Sequence, residues 1–207
     1  MARFLLVHGA WHGGWCFRDL QAELERRGHV VSAPDLPCEQ LGLTPHDYAR
    51  LIGPQPDAVV VGHSLAGQTI GLVDAGLRVY LAAIPPVVER QSEAFVPGWG
   101  GFRRYEDGRS YWPDAPTAAM RLYADCPRAQ AEWAFSLLRR QAPLPSAAAP
   151  FGAADVVVAT RNDCAVDPAW QRRTARAHGA RLLELDAGHF PFLTGPGELA
   201  DLLVSLS

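Results

Sequence analysis

The hexapeptide Gly62-His63-Ser64-Leu65-Ala66-Gly67 lies between an apolar run, Ala58–Val61, and a helical pattern over Leu65–Ala75. A serine at such a junction occupies a sharp strand-to-helix turn that projects its hydroxyl, and only small residues fit two places to either side. Gly62 and Ala66 stand at those places. A helix start also offers partial positive charge to a developing oxyanion. A serine hydroxyl is a weak nucleophile at neutral pH, so it needs a base, and the base needs a carboxylate to orient it. The candidates are Asp163, beyond the run Asp155–Thr160, and His189, beyond Leu182–Leu185 in Asp186-Ala187-Gly188-His189. Asp167 and Asp186 lie close enough along the chain to compete for the acid's place.

Three such residues can meet only if the runs before them are strands of one sheet. Apolar runs at Phe4–Val7, His29–Ala33, Ala58–Val61, Leu77–Ile84, Asp155–Thr160 and Leu182–Leu185 alternate with helical patterns at Phe17–Arg27, Pro45–Ile52, Leu65–Ala75, Ala169–His178 and Glu198–Leu206. Continuously apolar strands belong to a parallel sheet covered on both faces. The reading is an α/β fold with about six mostly parallel strands, and its ligand site lies at their carboxyl ends. The alternation breaks after the fourth strand, in a Gly- and aromatic-rich stretch with helix candidates at Thr117–Ala124 and Ala129–Arg140. Residues 1–86 and 153–207 therefore read as the core, and 87–152 as an inserted cap or lid.

Composition removes other classes. The chain has 207 residues, 48% hydrophobic and 20% charged, with a formal net charge of -3, as one soluble domain requires. All 19 basic residues are arginine, so mechanisms that need a lysine amine, Schiff base or P-loop, are excluded. No basic run builds a surface for nucleic acid, and no stretch approaches the ~20 apolar residues of a membrane span. Cys16, Cys38, Cys126 and Cys164 lack C-x-x-C spacing, and the histidines complete no metal site. The expectation is a cytoplasmic protein of unspecified oligomeric state, without metal or organic cofactor and without nucleic-acid or membrane partners.

The order Ser64, Asp163, His189 is that of the α/β-hydrolases, and the chain resembles that superfamily almost end to end. More narrowly it resembles the small group of plant methyl-ester esterases, hydroxynitrile lyases and their bacterial relatives. The resemblance rests on His8-Gly9-Ala10-Trp11-His12-Gly13-Gly14-Trp15, Gly62–Gly67, Thr160-Arg161-Asn162-Asp163, Gly188-His189 and the lid segment Tyr123-Ala124-Asp125-Cys126-Pro127 with Trp133 to Gln141. It implies Ser64 as nucleophile, His189 as general acid/base and Asp163 as orienting carboxylate. The family's two oxyanion amides fall on Ala10 and Leu65. The lyases of the group carry threonine where Gly9 stands and lysine directly after the catalytic histidine; this chain has Gly9 and Phe190. The esterase state is therefore expected, acting on a small ester or acyl substrate. Another enzyme on the same triad (a thioesterase, cyclase or C–C lyase) and a non-catalytic binder of a small apolar ligand are the rivals.

Trp11, His12, Trp112, Tyr123, Trp133 and Phe190 are the candidates for the substrate pocket, with closure of a small lid core as their plainer role. His8, His12 and His63 flank the site and read as structural, and Asp35 as a turn carboxylate. Arg103, Arg104 and Arg109 read as solvated surface groups, with recognition of a substrate carboxylate as the alternative.

Overall fold

The computed structural model describes residues 1–86 and 93–207; the first six residues of the expected cap, 87–92, lie outside the described residues. Its elements in chain order are β1 (Arg3–Val7), α1 (Arg18–Arg26), β2 (Val30–Ser32), α2 (Pro45–Ile52), β3 (Gln55–His63), α3 (Gly67–Ile70) and β4 (Ala75–Leu81). There follow β5 (Arg103–Arg104), β6 (Ser110–Tyr111), α4 (Ala115–Arg121), α5 (Arg128–Ser136), β7 (Asp155–Thr160), α6 (Pro168–Ala177), β8 (Arg181–Leu185), α7 (Pro191–Thr194) and α8 (Pro196–Val204). Six strands form one sheet in the order β2-β1-β3-β4-β7-β8, and every neighbouring pair is parallel.

Both faces of this sheet are dry. Phe4, Leu6, Val59, Val61, Val79 and Val158 point to one side, against Leu20 and Leu24 of α1 and Leu199 and Leu203 of α8. Leu5, Val7, Val60, Tyr80 and Val157 point to the other, against Tyr48 of α2, Ile70 of α3 and Ala175 of α6. Alternate side chains of a strand face opposite ways, so a strand buried on both sides has no polar positions to alternate with. Each buried Val or Leu contributes about 1.5–3 kcal/mol. Arg78 and Asp155 join β4 to β7 at 2.6 Å, with the carboxylate buried.

Two local features match the sequence closely. Thr44 caps α2 in a reciprocal capping box with Asp47, with Pro45 at the first turn. Strand β7 spans the expected Asp155–Thr160. The helix expected over Leu65–Ala75 is much shorter: a 3-10 turn over Ser64–Ala66 leads into α3, which stops at Ile70. Ala75 pairs with Gln55 and the Gln55 amide bonds Asp74 O at 2.6 Å, so the sheet claims the end of that segment as strand. The insertion between β4 and β7 holds the β5–β6 hairpin, α4 and α5. It is tied to the core by the bridge Phe95–Val166 and to itself by Ser110–Gln141. Among the described residues, no helix is long and apolar enough to cross a membrane.

Candidate active site

The sheet order reverses beside β1: one crossover runs outward to β2, and the next returns to β3 on the other side. Ligands of open α/β sheets bind at the carboxyl edge of such a switch point. Val7 pairs with Gly62, so the segments that follow β1 and β3 emerge side by side and bring Gly9 against Ser64. A Cβ on Gly9 would stand 2.9 Å from Ser64 Cβ and 3.0 Å from His63 O, which leaves no room for a larger residue. Ser64 has φ 53°. That left-handed conformation costs a non-glycine residue about 1–2 kcal/mol, and close packing on both sides maintains it here. A Cβ on Gly62 would meet Ile70 at 2.8 Å, and one on Gly67 would meet Ile84 O at 2.4 Å. Trp11, on the facing loop, is likewise left-handed at φ 64°.

On the other flank, Thr160 pairs with Leu185, and the loops beyond β7 and β8 bring Asp163 to His189. Asp163 Oδ2 accepts from His189 Nδ1 at 2.9 Å, with both residues buried. The same oxygen accepts from the Thr160 hydroxyl at 3.0 Å and from Gln171 Nε2 at 3.2 Å. Oδ1 accepts the amides of Ala165 and Val166 at 2.8 and 2.9 Å. Five donors thus converge on one carboxylate and leave it a single orientation. The two competing acids stand elsewhere: Asp167 caps α6 through the Ala169 amide, and Asp186 accepts from Asn162.

Three further buried histidines surround this pair, and each donates one ring N–H to a carbonyl of a reactive loop. His8 Nδ1 donates to Gly9 O at 2.9 Å, while its Nε2 accepts the Leu36 amide. His12 Nδ1 donates to Ala10 O at 2.7 Å, and its Nε2 accepts the Tyr123 hydroxyl at 2.7 Å. His63 Nε2 donates to His189 O at 2.9 Å, and its Nδ1 has no partner among the described residues. A carbonyl can only accept, so these contacts fix the tautomers. Burial pushes His8 down to about 4 and His12 down to about 3. Burial, with His189 nearby, holds His63 well below the usual imidazole range. All three are neutral at pH 7. Composition and spacing placed these rings near the site without revealing that they pin its backbone, because their acceptors are main-chain atoms.

The insertion reaches the same loops. Gln141 Oε1 accepts the Trp11 amide at 3.3 Å, and Asp125 Oδ2 accepts the Gly188 amide at 2.7 Å, one residue before His189. A Cβ on Gly188 would fall 2.3 Å from Asp125 Oδ1, so the glycine there makes room for that contact. Gln141 and Asp125 carry no sequence signal for this role, being 130 and 63 residues from their partners.

A cavity of about 350 Å³ opens over the carboxyl edge, bounded by Ala10, Leu65, Ser64, His63 and His189 at its base. Ile84, Phe95, Trp99, Phe102, Leu144 and Val166 make its walls predominantly apolar. Of the six residues expected to line a pocket, Trp11 and Phe190 do so. The other four do not line this cavity. His12 and Tyr123 are bonded to each other behind Phe190, Trp112 packs edge-on against Trp11, Trp99 and Phe102, and Trp133 packs against Trp15 and under Arg18. Asp35 accepts the Gly14 amide at 2.6 Å, the turn role expected of it.

Known proteins resemble the chain at two levels. A carbendazim hydrolyzing esterase of Nocardioides sp. is 42% identical over 88 residues, covering 36% of each chain. Methylesterase 3 of Arabidopsis thaliana is 30% identical over 131 residues, 53% of this chain and 48% of that one. Norfluorocurarine synthase 1 of Strychnos sp. is 29% identical over 172 residues, 66% and 65% of the two chains. The aligned stretches thus span between about a third and two thirds of these relatives. Polyneuridine aldehyde esterase superposes with a TM-score of 0.80 at 21% identity, covering 100% of this chain and 99% of that one, which shows a shared fold. Residues 4–202 match the alpha/beta hydrolase family from near the start of β1 into α8, and the chain belongs to that family.

Proposed function

We propose that the chain is a serine hydrolase, a carboxylesterase that cleaves a small ester with apolar or aromatic parts through an acyl-enzyme on Ser64. The observation that carries this reading is the Asp163–His189 hydrogen bond of 2.9 Å, with His189 and a left-handed Ser64 on the wall of one apolar cavity. With Nδ1 donating to Asp163, His189 keeps the lone pair of Nε2 for the Ser64 proton. Ser64 Oγ attacks the ester carbonyl as His189 takes that proton. The N–H groups of Ala10 and Leu65 hold the tetrahedral oxyanion. His8 bonds the carbonyl of the same peptide unit whose N–H is that of Ala10, which aims the donor. Collapse breaks the acyl C–O bond, and His189 returns its proton to the departing alcohol. Water then loses a proton to His189, adds to the acyl carbon and expels Ser64, which regains the proton. The sequence needs no metal or organic cofactor.

Residues 87–152 act in this reading as the cap that closes the cavity, and 1–86 with 153–207 as the core. Gly9 supports ester chemistry, because a side chain there would crowd Ser64 itself. Relatives named as esterases support the same reaction class. A cytoplasmic setting accords with four cysteines that are all free thiols. No nucleic-acid or membrane partner enters the mechanism. A second reading, another reaction on the same triad such as a thioesterase, cyclase or C–C lyase step, is favoured by relatives named as synthases.

Hydrolysis of 4-nitrophenyl esters of increasing acyl length, by wild type and Ser64→Ala, tests the proposal. The expected result is turnover that disappears with the substitution. No turnover in either protein, together with rapid labelling of Ser64 by a fluorophosphonate, would point to the second reading. Equal turnover in both would overturn the nucleophile.

A further inference from the structure

Among the described residues that bound the cavity, Arg104 alone carries a permanent charge. Three nearby arginines are engaged, and Arg103 does not line the cavity. Arg109 is held by Asp107 through Nε at 2.9 Å and Nη2 at 2.6 Å. Arg139 donates to Leu36 O at 3.0 Å and lies 3.7 Å from Glu39. Arg140 stacks on Tyr105, with 4.7 Å from its Cζ to the ring centroid. Arg104 has no carboxylate partner among the described residues. Its Cζ stands 5.3 Å from the Phe102 ring centroid, and its one hydrogen bond, to Gly108 O, is long at 3.5 Å.

The ring beneath Arg104 is part of the cavity wall. Phe102 packs against Trp11 with 5.3 Å between centroids, and Trp11 directly follows Ala10. One continuous wall therefore leads from the proposed oxyanion site, across two aromatic faces, to a guanidinium at the mouth. Phe102 supports the guanidinium from one face and leaves its N–H fork to meet a carboxylate side-on through two parallel bonds. A cavity that is apolar along its length and cationic at one end complements a ligand with the opposite end charge.

We propose that the cavity takes an anionic half-ester: an apolar, flat body with the scissile ester at one end and a carboxylate at the other, paired with Arg104. The proposal rests on the Ser64 reading of this site for the orientation of the ester. Arg104 then selects among esters, and hydrolysis releases a dicarboxylic acid or a hydroxy acid according to which side carries the charge.

Calorimetric binding to the Ser64→Ala protein tests this without any need for turnover. The probes are monomethyl terephthalate and methyl 4-carbamoylbenzoate, equal in shape and different by one charge. The anion is expected to bind about two- to fivefold more tightly at low salt, the range of a solvent-accessible ion pair. The ratio should shrink in about 0.5 M NaCl and fall to about one when Arg104→Gln is added. Because the ratio is the readout, a general loosening of the cavity cancels from it. A ratio near one in the Ser64→Ala protein, a ratio that survives Arg104→Gln, or no binding of the anion would overturn the proposal. The 4-nitrophenyl ester assay is independent: equal turnover by wild type and Ser64→Ala would sink the nucleophile, whereas the binding ratio reports on Arg104 alone.

Discussion

The sheet edge and the insertion above it hold the same cavity by different means. At the sheet edge, position follows from register: Val7 opposite Gly62 and Thr160 opposite Leu185 bring four loops together within a few residues of each strand end. Among the described residues the insertion contributes a hairpin of two-residue strands and two short helices. It meets the reactive loops through scattered contacts: side-chain hydrogen bonds at Tyr123, Asp125 and Gln141, and isolated backbone bonds such as Arg139 N–H to Trp11 O at 2.7 Å and Val96 N–H to Ala165 O at 3.0 Å. A ladder of backbone bonds is cooperative, and a lone side-chain contact is not. Damage to the first should therefore abolish chemistry or folding, and damage to the second should change rate and selectivity by degrees.

The sharpest break is at the sheet edge. Ser64→Ala or His189→Ala is expected to lower kcat by about four to six orders of magnitude, with an unchanged circular dichroism spectrum. Asp163→Asn should cost about 10⁴ in kcat, because an amide NH₂ facing Nδ1 selects the wrong imidazole tautomer; retention of activity within tenfold would refute its assignment. In the sheet interior, Arg78→Ala leaves the buried Asp155 carboxylate without its cation and should destabilise the fold by roughly 3–5 kcal/mol in urea titration.

On the insertion side the effects shrink. Tyr123→Phe removes one hydroxyl and frees His12 Nε2, which relaxes the hold of Nδ1 on Ala10 O. About a tenfold loss of kcat with little change in KM is expected, well below the cost of deleting an oxyanion donor outright. A trifluoromethyl ketone, which places an oxyanion in the site, should lose affinity in parallel, while a product acid should not. A purely structural role for Tyr123 would move Tm and leave that difference untouched.

The gentlest effect is on pH dependence. An unfolded histidine takes a proton near 6.5, whereas folded His8 refuses it until about 4. Between those values the unfolded chain binds more protons, so the stability contributed by neutral burial is complete above pH 6.5 and is lost as pH falls towards 4. His12 extends the window to about 3. A Tm decline of roughly 4 °C per pH unit for each such ring is expected by scanning calorimetry. A flat Tm over this window would contradict their burial as neutral rings.

What was legible in the sequence was local. The serine turn announced itself by Gly62, Ala66 and Gly67, and each glycine proves to be a place where a Cβ would strike a neighbour. Strand β7 and helix α2 were bounded correctly because their signals, a wholly apolar run and a Thr-Pro-x-Asp cap, lie within the elements themselves. Helix α3 was overextended because the pairing of Ala75 with Gln55 draws on a residue twenty places away. The β5–β6 hairpin went unseen, since two-residue strands carry no period to detect.

Taken by itself, the sequence determined an α/β sheet dry on both faces and the chain order of serine, acid and base, because apolar periodicity and turn-forming glycines act over a few residues. Only the tertiary structure decided which acid meets His189, that four expected pocket residues do not line the cavity, that three neutral histidines pin the loops, and that the arginine on the cavity wall has no carboxylate partner among the described residues. Those outcomes depend on which side chains from distant segments arrive at the same few ångströms, and hydrogen-bond partners to main-chain atoms leave no trace in residue type.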